Sequence, residues 1–114
     1  MKNSMDAWKD ATLKYAKLYV DLAVFKIDSI GIINFRKMIN SEVQNSREGI
    51  MEQPDYKRAI EQHNSNKGFV INKGMSVLNA IKEYRTSVPE EFVTSLSPEL
   101  SKLEEECSNV LSSL

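Results

Sequence analysis

The apolar residues Val93, Leu96, Leu100, Leu103, Cys107, Val110 and Leu114 stand 3, 4, 3, 4, 3 and 4 positions apart, a heptad seam that reaches the last residue. Such spacing lays them along one stripe of an α-helix, whereas strand side chains alternate with period two. Helices with seams of this period pack at shallow left-handed angles, as in bundles and coiled coils. A second stripe runs near the N-terminus, where Trp8, Ala11, Tyr15, Leu18, Leu22 and Phe25 also recur at threes and fours. Ala16, Tyr19, Ala23 and Ile27 widen it, and Asp10, Lys14, Lys17, Asp21 and Asp28 occupy the other side, with Asp10 and Lys14 spaced for an i,i+4 pair. A strand reading of "LYVDLAVFKI" fails because its alternation breaks at Asp21 to Ala23.

Between the two seams the chain keeps helical periodicity. Ile32, Phe35, Ile39 and Val43 predict a helix from Ser29 or Gly31 to about Asn45, with a break or kink near Ser29 to Gly31 separating it from the first. "NSREGIMEQP" reads as a loop punctuated by Gly49 and Pro54. Pro54 suits a first helical position and Asp55 the first turn, so Tyr56, Ala59, Ile60 and His63 define a short helix that "NSN" interrupts at Asn64. Val70, Gly74, Val77, Ile81 and Tyr84 describe the next, ending near Arg85 or Thr86. Ser87 and Glu90 have capping-box spacing, and Ser97 followed by Pro98 marks a further helix start. The fold class is therefore all-α: a single-domain bundle of four or five helices over residues 1–114, with long first and last helices. It is closed within the chain or completed by a second copy.

Size and charge bound what such a bundle does. A chain of 114 residues supports one core, and 41% hydrophobic with 27% charged residues is the balance of a globular protein. No stretch approaches the ~20 apolar residues that span a bilayer, and the first twenty residues alternate charged with apolar positions where a secretory signal needs an unbroken apolar run. The single cysteine excludes an intramolecular disulfide, and no N-x-S/T site occurs. A cytoplasmic location and no membrane association are expected. The net charge of -1 divides into +4 over residues 1–85 and -5 over residues 86–114, so an acidic tail faces a basic body.

One stretch resembles a site: "NKGFVINKG", Asn66 to Gly74. A phosphate loop needs the lysine after the second glycine, but here each lysine precedes its glycine and the glycines are too far apart. Three flanked residues, "FVI", make no hairpin. The stretch is read as a helix start, capped by Asn64, Ser65 or Asn66, with Gly74 allowing a close approach by a neighbouring helix. His63 is the only imidazole, which excludes paired-histidine metal sites, and Cys107 on its seam reads as a core residue. Consecutive glutamates at 104, 105 and 106 diverge by ~100° each around a helix, so they form a solvated face and no cation cage.

No catalytic, metal or cofactor constellation emerges, and no cofactor is expected. The function these features point to is a non-catalytic protein-binding module, such as an inhibitor, immunity-type, adaptor or chaperone protein, acting through a charged helical face. Its candidate contact residues are Arg36, Lys37, Arg47, Lys57, Arg58, Lys67 and Lys73. The alternative is a nucleic-acid-associated protein, since residues 55–85 read as helix, polar turn, helix; the small net basic excess argues against it. Self-association is expected as well, because Leu111 and Leu114 carry apolar surface to the end of the chain.

Overall fold

The computed structural model describes residues 4–45 and 49–114. These residues form four α-helices, α1 (Ser4–Asn45), α2 (Pro54–Ser87), α3 (Glu90–Ser95) and α4 (Ser97–Ser113), with a 3-10 turn at Ile50–Glu52. No strand occurs among them. The all-α class and the long first and last helices agree with the seams. The 42 residues of α1 set the length of the molecule, which measures 68 × 23 × 16 Å, since a helix rises about 1.5 Å per residue.

Helix α1 and helix α2 form an antiparallel hairpin. Ala11 meets Tyr84 at one end, Phe25 meets Gly74 midway, and Phe35 stacks on His63 towards the other. The chain reverses at Gly49, whose φ of 29° lies in the left-handed region where a side chain would be strained, and the amide of Glu52 closes the turn on the Gly49 carbonyl at 2.9 Å. Helix α4 then runs parallel to α1 and antiparallel to α2: Lys26 pairs with Glu106, Arg36 reaches Leu114, and Arg85 of α2 meets Glu104.

The core lies where three helices meet. Leu18, Leu22, Phe25 and Ile32 of α1, Val70, Val77, Ile81 and Tyr84 of α2, and Leu100, Leu103 and Cys107 of α4 are buried together. Helix α2 thus shares the core with the first and last helices on equal terms. Fully burying side chains such as Phe25, Ile81 and Leu100 contributes roughly 1.5–3 kcal/mol each. Beyond Ile32 on α1 and before Val70 on α2 no described residue is buried, because α4 ends there and the hairpin continues as two helices alone.

Several sequence expectations give way to tertiary packing. Helix α1 passes through Ser29 to Gly31 without a break: the cost of one mid-helix glycine, about 1 kcal/mol, is small beside the burial of Phe25 and Ile32 on either side. Ser29 is itself buried, and its hydroxyl donates to the Phe25 carbonyl at 2.8 Å, which satisfies it inside the core. Helix α2 likewise runs through "NSN" and Gly68. Asn64, Ser65 and Asn66 cap nothing; the Gln62 amide donates to Asn66 Oδ1 at 3.0 Å, one turn on. The segment 55–85 therefore contains no turn, and the helix, polar turn, helix pattern on which the nucleic-acid alternative drew is absent.

The capping assignments at the C-terminal segment change in the same way. The Ser87 hydroxyl donates back to the Glu83 carbonyl at 2.6 Å and closes α2 instead of opening α3, whose N-cap position is Pro89. Helices α3 and α4 join at Leu96, with φ -100° and ψ 7°, so Leu96 and not Ser97 precedes α4, and Pro98 sits in its first turn. Trp8, Tyr19 and Ile27, placed by their spacing on the packing side of α1, are 57, 61 and 66% exposed.

Candidate interaction surface

Of the seven cations singled out by charge, the six among the described residues do not gather on one face. Positions 57, 58, 67 and 73 point in four directions around α2 at ~100° per residue. Arg36 on α1 turns inward, its guanidinium donating to the backbone carbonyls of Ser113 at 2.8 Å and Leu114 at 3.0 Å. Those carbonyls end α4 with no intrahelical donor of their own, and a cation there also complements the helix dipole. Lys73 pairs with Asp28 across the hairpin at 2.5 Å, Arg58 with Asp55 at 2.5 Å, and Lys57 with Glu52 at 3.9 Å. Lys37 is exposed on α1 and Lys67 is half-buried beside His63. Arg47 lies outside the described residues.

The acidic tail finds its basic complement within the chain, through Lys26–Glu106 at 3.5 Å and Arg85–Glu104, with Arg85 also 3.4 Å from the Ser101 hydroxyl. Exposed pairs of this kind contribute about 0–1 kcal/mol each, so they orient α4 more than they hold it.

His63 stacks on Phe35 with ring centroids 4.8 Å apart. Burial, then the neighbouring Lys67 and Arg36 charges, hold its imidazole below the ordinary value and so favour its neutral form. Cys107 is fully buried and its thiol donates to the Gly74 carbonyl at 3.3 Å. Burial pushes that thiol up to about 11, which removes the thiolate that nucleophilic chemistry needs. Gly74 is the point of closest approach: a Cβ there would stand 2.6 Å from both Leu111 Cδ2 and Phe25 Cζ. Leu111 and Leu114 pack against the core, so they are not the free apolar end on which the expectation of self-association rested. Among the described residues no cluster of His, Cys, Asp or Glu could hold a metal ion, and no helix is long and apolar enough to cross a membrane.

What the structure leaves open is apolar. Between α1 and α2, on the side away from α4, two hollows of about 580 and 510 Å³ share Phe69 and Lys73 and form one groove. Val24, Ile27 and Phe35 line its α1 side, Phe69 stands in it 71% exposed, and Lys17, Asp21 and the Asp28–Lys73 pair supply its charges. Nine of the twelve exposed large apolar side chains among the described residues belong to α1. Charge did not point to this apolar surface. The available signal was the composition of α1, where Leu13, Val20, Val24 and Ile30 fall off the core stripe.

Comparison with protein-family models, curated proteins and solved structures finds no match in any of the three.

Proposed function

We propose that the chain is a non-catalytic protein-binding module whose contact surface is the groove between α1 and α2, and that its ligand is an amphipathic helix of a partner protein. The observation that carries this is Phe69, a large apolar side chain left exposed midway along a groove of helical length. Helix-in-groove recognition uses apolar anchors at i, i+3 or i+4 and i+7 against such a surface. Val24, Ile27 and Phe35 supply the matching wall, and the Lys17 and Asp21 rim favours a helix with charges of both signs flanking its apolar stripe. Among the described members of the charged set, Lys73 alone lines the groove.

A photo-crosslinking residue in place of Phe69 tests the reading in the native host. The expected product joins position 69 to a helical segment of one protein, and a peptide of that segment binds the wild-type chain but not the Phe69→Glu variant. A partner that binds Phe69→Glu as tightly as wild type, and loses affinity only when Lys57 and Arg58 are replaced, would move the contact surface to the cations at the start of α2.

A further inference from the structure

Helix α1 carries a second heptad seam, independent of the core. Leu13, Ala16, Val20, Ala23, Ile27 and Ile30 are spaced 3, 4, 3, 4 and 3 apart. Ile27 lies nine residues from Leu18, half a turn away from the buried stripe at ~100° per residue. The large members Leu13, Val20, Ile27 and Ile30 are 56–70% exposed. An apolar stripe on a helix is normally covered, and α1 carries two of them, yet α2 and α4 cover only the inward one.

We infer that this seam is covered by the same seam of a second copy, with the two α1 helices antiparallel. Size and charge along the seam select both the occupant and its direction. Knobs-into-holes packing of antiparallel helices sets one class of seam position against the other. In the register where position i faces position 43 minus i, Leu13 meets Ile30, Ala16 meets Ile27 and Val20 meets Ala23. Each alanine then receives a β-branched side chain, every apolar layer is used, and a two-fold axis passes between Asp21 and Leu22 of the two chains. The next seam positions outward are Lys9 and Asn34, both exposed. They come together at each end, where the Asn34 side-chain carbonyl accepts from the Lys9 ammonium. A parallel pair would instead set Lys9 against Lys9 and alanine against alanine, adding like-charge repulsion and two thin layers.

The interface shares Ile27 with the α1 edge of the groove but uses neither Phe69 nor Val24, and Val20 lines neither hollow, so the Val20→Glu variant tests the pairing apart from the reading of the groove. Sedimentation equilibrium over micromolar to millimolar protein gives the mass. The expected result is twice the 13.0 kDa of one chain, reduced to 13.0 kDa in the Val20→Glu and Ile27→Glu variants. Both side chains are exposed, so the helical circular dichroism of the variants stays that of wild type. A spin label at Lys9→Cys reads the direction: antiparallel pairing in this register separates the two labels by 25 residues along the axis, about 37 Å at 1.5 Å per residue. A monomer at all concentrations, a dimer that survives both variants, or two labels side by side would each overturn the inference.

Discussion

Cys107 shows how burial redirects a reactive group. Its thiol sits at the junction of three helices, donating to the Gly74 carbonyl, and burial favours its neutral form, moving it from the ordinary 9.0 to about 11. The folded value lies above the unfolded one, so the stability this provides is complete below about pH 9. It is lost as pH rises towards 11, because the unfolded chain ionises first. Tyr15 and Tyr84, raised chiefly by burial, act in the same direction at still higher pH. Urea denaturation as a function of pH should therefore show stability falling above pH 9, with Cys107→Ala removing the earliest part of the slope. A thiol reagent should leave Cys107 untouched until the chain unfolds. Rapid labelling of native protein at neutral pH would contradict the burial on which this rests. The sequence placed Cys107 in the core through its seam, and the loss of water there is the cause of the shift.

At the scale of the helices, two glycines separate local preference from tertiary demand. Gly68 and Gly74 both interrupt the helical pattern of α2 and both lie in the stretch that first suggested a binding loop. A Cβ added at Gly68 meets nothing within 4 Å, whereas one at Gly74 meets Phe25 and Leu111 at 2.6 Å. Gly68→Ala should stabilise the fold by about 0.5–1 kcal/mol through helix propensity. Gly74→Ala gains the same local term but forces Phe25 and Leu111 aside, a repacking that costs typically 1–3 kcal/mol, so its net effect should be loss. Thermal or urea melts of the two variants decide it, and equal effects would mean that the three-helix junction repacks freely. The existence of helices at these positions was legible from spacing. Their continuity was not, since Ser29, Gly31 and Asn64 to Asn66 are weak local breakers, each outweighed by apolar partners on either side that only the folded chain supplies. Arg36 shows the same dependence: its role as the cap of α4 comes from residues 77 and 78 positions away.

Over the whole molecule, cover is uneven. From Ala11 to Ile32 helix α1 packs into a three-helix core, while beyond it residues 33–45 and 54–69 form a two-helix extension with no buried side chain among those described. Native-state hydrogen exchange should follow this, with amides from Gly74 to Tyr84 protected to the full unfolding free energy and those from Tyr56 to Asn66 opening at lower cost. Uniform protection along α2 would show that something else covers the hairpin end. The same unevenness explains why the candidate surface escaped a reading by charge. Most of the chosen cations are engaged by Asp28, Glu52, Asp55 or the end of α4, and the acidic tail meets the basic body through Lys26 and Arg85.

By itself the sequence determined that this chain is all-α, where its amphipathic stripes lie, and that Cys107 and Leu100 face a core, because a period of 3.6 residues is a local property of the backbone. Only the tertiary structure decided that α1 and α2 are each unbroken, which cations are occupied within the chain, and that the outward seam of α1 and Phe69 are left uncovered. Those outcomes depend on packing and pairing between α1, α2 and α4, much of it between residues tens of positions apart, which no local spacing records.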